Sequence, residues 1–243
     1  MKKGIEDKVI NIIDTKFEVV DTYSVPDIDD TRLTFDNTGL RFDATTLYID
    51  MRDSTKILNK HHRTSVAKLH KAYFHVIVKI AKSLGGEVRS FNGDGMLVFF
   101  QGTTKNELSN AVKAAMQMKY MLAINEKVKN KLEKYSPINF GIGIDDNKVL
   151  CTKVGISGTN NRDLVWISNA VNKAVKIGDN LESPYQIGIS SYVYNNLNDD
   201  VKYHKKKDSW GNDIQVDMWE KEYFTYNGQQ ESFYCTTYYW TIS

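Results

Sequence analysis

The stretch Phe91-Asn-Gly-Asp-Gly-Met-Leu-Val-Phe-Phe100 decides the fold of this sequence. Two strand-like runs, Glu87–Phe91 and Met96–Phe100, flank its polar centre. The Asn-Gly pair in that centre readily adopts positive φ, which a tight β-hairpin turn requires. The stretch therefore predicts a β-hairpin with Asp94 at its tip.

A strand and a long helix are predicted before this hairpin. The β-rich run Thr45–Ile49 leads through the polar segment Asp50–Thr55 into apolar residues at helical spacing, which are Val66, Leu69, Tyr73, Ile77 and Ile80. Gly85 and Gly86 then provide a helix stop signal. The predicted order up to the hairpin is therefore strand, then helix.

A second long helix follows the hairpin. Apolar residues again have helical spacing from Ala111 to Leu122, and Pro137 ends the pattern. The runs Ile138–Ile144 and Val149–Val154 then predict a further pair of strands. The complete order of strand, helix, strand, strand, helix and strand is the ferredoxin-like, or split βαβ, arrangement of an α+β fold.

The two ends of the chain extend this core. Residues 1–40 combine an amphipathic start with an Asp-rich segment, which predicts a peripheral N-terminal arm. Residues 41–243 form the predicted catalytic domain, which ends in additional helices and strands and a β-rich tail from Val216 to Ile242. The extra elements are a short helix near Asn169–Ile177, a strand at Gln186–Ile189 and a helix near Ser191–Leu197.

Composition excludes several functional classes. The net charge is +2, from 32 basic and 30 acidic residues, so the chain has no overall positive field of the kind that attracts nucleic acid. Cys151 and Cys235 are too few for a disulfide framework, and neither has the spacing of a metal ligand. The chain has neither the apolar run of a signal peptide nor a membrane-spanning segment, which predicts a cytoplasmic protein. The basic run Lys205–Lys207 is interpreted as a solvated segment or, alternatively, as a contact to substrate phosphates or a partner.

Two carboxylates are the first candidates for chemistry. In the predicted topology the end of the first strand lies beside the hairpin tip, so Asp50 and Asp94 should face each other across a small gap. Oxygen ligands of this kind suit Mg²⁺ or Mn²⁺, which usually keep substrate phosphates as further ligands. Taken singly, each aspartate has the alternative interpretation of a turn former or cap; together they favour a site for two metal ions.

Two further groups are weaker candidates. Asp53, Ser54 and Thr55 lead from a strand into a helical region, where free backbone amides can cradle phosphate oxygens; an ordinary helix cap by Ser54 or Thr55 is the alternative. Asn172 and Lys176 are four residues apart on one helix face, where they can orient a ribose and neutralise phosphoryl charge. An Asn and a Lys on a helix usually only face solvent, so spacing alone does not select them.

With these motifs in place, the sequence resembles the class III adenylate and guanylate cyclase catalytic domain over about residues 43–200. Four segments carry the resemblance, namely Leu47-Tyr-Ile-Asp-Met-Arg-Asp-Ser-Thr55, the Phe91–Phe100 hairpin, Ile142-Gly-Ile144 with the strand after it, and Ala170-Val-Asn-Lys-Ala-Val-Lys176. The resemblance implies that two Mn²⁺ or Mg²⁺ ions are held by Asp50, Asp94 and the backbone carbonyl of Met51. It also implies a head-to-tail homodimer in which Asn172 and Lys176 of one chain complete the site of the other.

Departures from the family pattern bear on the substrate. The arginine that stabilises the transition state in the family is Lys176 here, which keeps the charge but loses the bidentate fork. Purine cyclases commonly read the base with polar residues where this chain has Ser90 and Val165. With Arg89 and the bulky Trp166 beside them, these residues predict a pocket for a pyrimidine. The chain thus resembles most the bacterial pyrimidine cyclases of Pycsar anti-phage systems, which make cyclic UMP or cyclic CMP as a messenger for a separate effector protein, and UTP is the favoured substrate.

Three alternatives remain open from the sequence. An adenylate cyclase would keep the chemistry and change the base. A catalytically silent, dimeric nucleotide-binding module would keep the fold without turnover, although both aspartates are present. A diguanylate cyclase or palm-type polymerase also pairs a strand-end Asp with a hairpin carboxylate, but its Gly-Gly-Asp-Glu-Phe-type signature is absent.

Overall fold

The structure is a computed structural model, and it describes residues 1–242. Its elements, in chain order, are α1 (Lys2–Asp14), β1 (Glu18–Asp21), β2 (Thr38–Arg52), α2 (Ser54–Lys60), α3 (Arg63–Ser83), β3 (Gly86–Asn92), β4 (Gly95–Gln101), α4 (Lys105–Lys119), a π-helical turn (Tyr120–Ile124), α5 (Glu126–Glu133), β5 (Asn139–Gly155), β6 (Arg162–Ile167), α6 (Asn169–Asn180), β7 (Ile187–Ser190), α7 (Ser191–Asn195), α8 (Asp199–Lys202), β8 (Tyr203–Lys207), β9 (Asp213–Asp217), β10 (Glu220–Tyr226) and β11 (Gln229–Thr236).

The central sheet confirms the predicted α+β, ferredoxin-like core. Its four core strands run in the order β5-β2-β4-β3, and each neighbouring pair is antiparallel. The chain order around them is strand, helix, strand, strand, helix and strand, as the sequence predicts. On the β5 side the sheet continues through β7, β11 and β10, which are the predicted C-terminal additions.

Two apolar layers cover the two faces of this sheet because alternate residues of each strand point to opposite sides. One layer, the helix-side core, packs α3 and α4 against the strands and includes Leu47, Ile49, Met96 and Val98. The other layer, the arm-side core, contains Phe42, Ala44, Leu97 and Phe99 with Val25, Leu33 and Trp166. Asp50 shares the side of β2 that faces the arm-side core, which places it away from α3 and α4.

Helix α3 confirms the helical pattern of the sequence. Its buried residues include all five of the predicted apolar positions, Val66, Leu69, Tyr73, Ile77 and Ile80. The remaining faces carry many charged residues, so the helix is amphipathic. Within residues 1–242, none of the helices combines the length and apolar character that a bilayer crossing needs.

The predicted pair of strands after Pro137 is wrong in one respect. Residues Asn139–Gly155 form the single 17-residue strand β5 without a turn at Asp145–Lys148. Strand β2 runs beside it from the Leu40–Cys151 pair to the Arg52–Asn139 pair, so the backbone of the polar segment is hydrogen-bonded as a strand. The strand that follows β5 in the chain and pairs antiparallel with its second half is instead β6.

The N-terminal arm is partly integrated into the fold. Helix α1 has no buried residue, and Asn37 Nδ2 anchors its end by donating to the carbonyl oxygens of Ile12 and Thr15, both at 2.7 Å. Strand β1 pairs in parallel with the start of β2, and Val25 and Leu33 are buried in the arm-side core. The predicted boundary between residues 40 and 41 lies within β2.

The last residues lie across α4. After β11 the tail has no further strand among the described residues, and the Trp240 amide donates to the Met116 carbonyl at 3.2 Å. The buried Lys119 Nζ donates to the Thr237 carbonyl at 2.7 Å, and burial lowers the pKa of Lys119 to about 8. The tail therefore covers the outer side of the helix-side core.

Glycines allow α6 to pack directly on β5. A Cβ at Gly143 would overlap the Ala174 carbonyl oxygen and lie 2.7 Å from the Gly178 amide nitrogen. We expect Gly143→Ala to lower the free energy of unfolding by about 3 kcal/mol, since rigid backbone must move to admit the methyl group. Urea denaturation measures this, with Gly4→Ala on the exposed helix α1 as control. Unchanged stability of Gly143→Ala would contradict the close packing of α6.

Candidate active site

Asp50 and Asp94 lie together at one end of the core sheet. The β2–β4 pairing ends with Ile49 opposite Met96, so Asp50 stands one step beyond it, next to the β3–β4 turn that carries Asp94. A Cβ built on Gly95 would lie 3.0 Å from Asp50 Oδ1, which measures how closely the turn approaches this carboxylate. Both aspartates are half-buried. The juxtaposition predicted from the topology is present in the structure.

The electrostatics of this pair favour a bound cation. Burial and, next in size, the negative charge of Asp94 raise the pKa of Asp50 to about 6. The neighbouring cation Arg52 forms no salt bridge with either aspartate, and its Nη2 donates to the Gly178 carbonyl at 3.1 Å. Two like charges in a partly dehydrated site with oxygen ligands fit a hard divalent ion.

The donor set is sparse. Among residues 1–242, no cluster of three or more His, Cys, Asp or Glu side chains is arranged to hold a metal ion. The predicted ligands, Asp50, Asp94 and the backbone carbonyl of Met51, would be fewer than Mg²⁺ or Mn²⁺ needs, and water or substrate phosphate would have to supply the others. This composition is typical of sites that bind a metal together with a nucleoside triphosphate.

A cavity of about 290 Å³ lies beside Asp50, and we call it the carboxylate cavity. Its lining includes Tyr48, Met51, Gly141 and Asp179. Sequence reasoning missed Tyr48 and Asp179. Strand alternation could have identified Tyr48, which is two residues before Asp50 on the same side of β2. Burial raises the pKa of Tyr48 to about 12, and the charge of Asp50 adds to this effect, so its hydroxyl keeps its proton. No sequence pattern indicates Asp179, which reaches the carboxylate cavity because α6 packs on β5.

The predicted phosphate-binding segment has an unusual backbone. Asp53 has a φ of 58° and is the N-cap of α2, without a side-chain capping bond. Ser54 is the first helical residue, so the alternative that Ser54 or Thr55 caps the helix is wrong. Asp53 Oδ1 instead forms an exposed ion pair with Lys56 Nζ at 2.7 Å. The role of Asp53, Ser54 and Thr55 with phosphate stays a prediction.

Asn172 and Lys176 are exposed and line a different cavity. This helix–hairpin cavity, of about 320 Å³, lies between α6 and the tip of the β10–β11 hairpin, where Thr225, Tyr226 and Asn227 form its opposite wall. The two side chains share a helix face, as their spacing predicts. Neither lines the carboxylate cavity, so one chain does not bring all four polar residues into one cavity.

The residues predicted to read the base lie in different surroundings. The β3–β4 register skips Arg89, so Ser90 pairs with Leu97 and follows a bulge. Ser90 Oγ donates to Asn92 Oδ1 at 3.0 Å. Val165 is 39% exposed and points away from the arm-side core. Trp166 packs edge-on against Phe42 and lies 4.8 Å from the ring of Phe99, so it fills the arm-side core rather than open space in a pocket.

Arg89 is occupied with the N-terminal arm. Its Nε donates to the Pro26 carbonyl at 2.7 Å, and its Nη2 donates to the Val25 carbonyl at 3.1 Å. A salt bridge of 2.9 Å to Glu87 holds the remaining nitrogen. The side chain is only 16% exposed. These contacts leave the guanidinium no free edge for a base, contrary to the prediction that Arg89 helps to bind it. No local sequence pattern indicates them.

Replacement of Arg89 tests this assignment. We expect Arg89→Ala to lower the free energy of unfolding by about 2 kcal/mol, because buried carbonyl groups of the arm lose charged donors, and to leave nucleotide preference unchanged. Urea denaturation and a nucleotide panel measure the two effects. Arg162→Ala is the matched control, since its 3.2 Å bond to Asp29 is exposed and should contribute less than about 1 kcal/mol. A changed preference at unchanged stability would restore Arg89 to the base pocket.

Comparison with known proteins identifies the family of this chain. Residues 41–227 match the family model of the adenylate and guanylate cyclase catalytic domain. A uridylate cyclase of Xanthomonas perforans is 32% identical over 216 residues, which cover 85% of this chain and 90% of that protein. A uridylate cyclase of Burkholderia cepacia is 30% identical over 229 residues, 93% of each chain.

A solved structure shows the same fold. The guanylyl cyclase Cya2 superimposes with a TM-score of 0.65 over 82% of this chain and 93% of its own, at 20% sequence identity. The match of the family model extends over most of the chain and includes Asp50, Asp94, Asn172 and Lys176. The predicted resemblance is confirmed, and the chain belongs to the family of adenylate and guanylate cyclase catalytic domains.

Proposed function

We propose that the protein is a pyrimidine nucleotide cyclase that converts UTP, or CTP, into the 3′,5′-cyclic monophosphate and pyrophosphate. The observation that carries the proposal is the half-buried pair of Asp50 and Asp94, with which Arg52, the basic side chain of the carboxylate cavity, forms no salt bridge. The similarity to uridylate cyclases of two bacteria supports the choice of a pyrimidine. UTP is the preferred substrate for the same reason.

The metal-binding residues are Asp50, Asp94 and the backbone carbonyl of Met51. Together they would hold two Mn²⁺ or Mg²⁺ ions, whose positive charge supplies the electrophilic stabilisation that phosphoryl transfer needs. Burial of Asp50 keeps its oxygens in a medium where attraction to a cation is stronger than in water. The amides of Asp53, Ser54 and Thr55 lie next along the chain, where they can receive the phosphate chain.

Asn172 and Lys176 act on the other side of the nucleotide. The amide of Asn172 can orient the ribose so that its 3′-hydroxyl faces the α-phosphate. The ammonium group of Lys176 can neutralise the charge that grows on the transferred phosphoryl group. A lysine provides one point charge in place of the arginine fork, so it orients the phosphate less strictly.

The active site is proposed to form between two chains. The carboxylate cavity and the helix–hairpin cavity have no lining residue in common. In a head-to-tail homodimer, Asp50 and Asp94 of one chain would meet Asn172 and Lys176 of the other. Symmetry then produces two such sites for each dimer.

The choice of a small base follows from what the chain lacks. Ser90 presents a short hydroxyl and Val165 an apolar side chain at positions where purine cyclases use longer polar groups. A site that reads a purine by hydrogen bonds needs buried partners for its ring and exocyclic atoms. Ser90 offers one short contact of this kind, which suits a pyrimidine carbonyl or amine, and Arg89 is held by the arm.

A nucleotide panel tests the proposal. Purified protein is incubated with Mn²⁺ and ATP, GTP, CTP or UTP separately, and the products are resolved by chromatography. We expect cyclic UMP, or cyclic CMP, and none of it from Asp94→Ala. Cyclic AMP as the main product would favour the adenylate cyclase alternative, and nucleotide binding without turnover would favour the silent module.

A cellular role is proposed from the resemblance to the bacterial pyrimidine cyclases of Pycsar anti-phage systems. The cyclic pyrimidine nucleotide would be released in the bacterial cytoplasm, where a separate effector protein would respond to it during phage infection. We expect cyclic UMP to rise after infection in cells that carry the wild-type chain and to stay at background with Asp94→Ala. Levels of cyclic UMP that do not change in wild-type cells after infection would contradict a defence role without affecting the chemistry.

A further inference from the structure

Lys173 connects helix α6 to the β10–β11 hairpin. Its Nζ donates to Glu231 Oε2 at 2.7 Å, and the same ammonium group lies 5.0 Å from the ring centroid of Tyr226. The Lys173 side chain is 21% exposed and that of Glu231 is 35% exposed, so the pair is shielded more than an ordinary surface ion pair. The lysine thus has one partner on β11 and another on β10.

Strand β5 contributes a third group near the Lys173 ammonium. Asp145 of β5 is 5% exposed and lines a cavity of about 260 Å³ together with Lys173, Ser190 and Glu231. Burial raises the pKa of Asp145 to about 6, although a hydrogen bond with Ser190 and the charge of Lys173 act against that shift. Lys173 is therefore the cation that interacts with both Asp145 of β5 and Glu231 of β11.

The neighbours of Lys173 on α6 are the residues proposed to act on the nucleotide. Asn172 immediately precedes it, and Lys176 follows within one helical turn. Both line the helix–hairpin cavity, whose opposite wall includes Tyr226. The hydrogen bond of Lys173 to Glu231 and its cation–π contact with Tyr226 connect α6 to the β10–β11 hairpin, whose tip forms the opposite wall, so they restrain the separation of the two walls.

We propose that Lys173 is a positioning residue for catalysis, which holds Asn172 and Lys176 at the working distance from the β10–β11 hairpin through Glu231 and Tyr226. This inference rests on the proposed function, because it assigns Lys173 a role through Asn172 and Lys176. A displacement of about 1 Å in such groups can reduce a rate about a hundredfold, even when the substrate still binds.

Single and double variants separate positioning from stability. We expect Lys173→Met to lower kcat about thirtyfold with a change in KM of less than about threefold, since ground-state contacts remain. Glu231→Gln should have a similar effect, and the double variant should be no worse than either single one because both remove the same contact. Lys173→Arg, which keeps the charge, should recover most of kcat. Lys129→Met on the exposed 3.8 Å pair with Glu133 of α5 is the control and should leave kcat unchanged.

Mixed dimers locate the defect within the active site. A dimer of an Asp94→Ala chain and an Asn172→Ala chain has one intact site, which combines Asn172 of the first chain with Asp94 of the second. Lys173→Met placed in the Asp94→Ala chain should lower the rate of this site about thirtyfold, because that chain supplies Asn172 and Lys176. The same substitution placed in the Asn172→Ala chain should leave the rate unchanged.

Two results would overturn the inference. One is an equal loss of rate for both placements of Lys173→Met, which would indicate general destabilisation. The other is additive losses for Lys173→Met and Glu231→Gln, which would show that the residues act separately. Failure of the proposed function is distinguishable, because the wild-type chain would then form no cyclic nucleotide in the panel before any variant is made.

Discussion

Replacement of Asp94 by asparagine is expected to reduce the rate of cyclic nucleotide formation at least about a thousandfold. Asp94 and Asp50 are the two carboxylates proposed to bind metal, and an amide cannot supply the charge that holds a divalent ion. Asp50→Asn should have a comparable effect. Initial rates of product formation at saturating Mn²⁺, resolved by chromatography, measure the loss.

The same substitution should raise thermal stability, although it removes activity. In metal-free protein at pH 7 to 8 we expect Asp94→Asn to raise Tm, because it removes a like charge that disfavours ionised Asp50. The pKa of folded Asp50, about 6, lies above its usual value of 3.8, so its ionisation costs stability at pH above 6. That cost disappears as pH falls towards 4, and the difference in Tm should disappear with it.

Mn²⁺ provides the control for this prediction. Addition of Mn²⁺ should raise the Tm of the wild-type chain, since an ion that binds only the folded state stabilises it, and should raise that of Asp94→Asn much less. Asp7→Asn on the exposed helix α1 should respond as the wild type does. An Asp94→Asn variant that keeps its activity, or the full Mn²⁺ response, would refute the assignment of the metal site.

Mixing two inactive variants is expected to restore activity. Asp94→Ala should disable the proposed metal site of its own chain, and Asn172→Ala should disable the ribose-orienting group that its chain supplies to the partner. If chains exchange freely in an equal mixture, half of the dimers are mixed and each has one intact site of two, so about a quarter of the wild-type rate should return. The measurement is the rate of cyclic nucleotide formation after the two proteins are incubated together.

The mixing experiment has a direct control. Asp50→Ala mixed with Asp94→Ala should restore nothing, because both changes fall in the same half of the composite site and every site of a mixed dimer lacks one carboxylate. Activity that returns equally in both mixtures would indicate contamination by wild-type protein. No recovery with Asp94→Ala and Asn172→Ala, in spite of demonstrated chain exchange, would contradict the composite site and require all four residues to act within one chain.

Local patterns were sufficient for the core of the fold and for the two aspartates. The Asn-Gly turn fixes the hairpin, and strand alternation and helical spacing fix its neighbours, because each depends on residues close in sequence. Asp94 then follows from its place in the turn, and Asp50 from the order of the strands. The continuity of β5 could not be predicted in this way, since the polar residues Asp145–Lys148 continue the strand only because β2 lies beside them.

The parts of the site that were missed depend on contacts between distant residues. Arg89 is drawn to Val25 and Pro26 of the arm, more than sixty residues earlier in the chain, and its own neighbours give no sign of this. Asp179 reaches the carboxylate cavity only because Gly141 and Gly143 admit α6 onto β5. The sequence around Lys173 does not distinguish it from other helical lysines, because its partners Glu231 and Tyr226 lie on β11 and β10. Long-range packing of this kind is what a single sequence leaves open.

The separation of the two cavities has a consequence for how output depends on protein abundance. When chains are scarce, the number of proposed dimers rises with the square of their concentration, so a doubling of copy number would increase messenger synthesis about fourfold. At high abundance the dependence becomes linear. A cell that keeps few copies would therefore hold synthesis low without an inhibitor, and a rise in expression would increase synthesis more than proportionally.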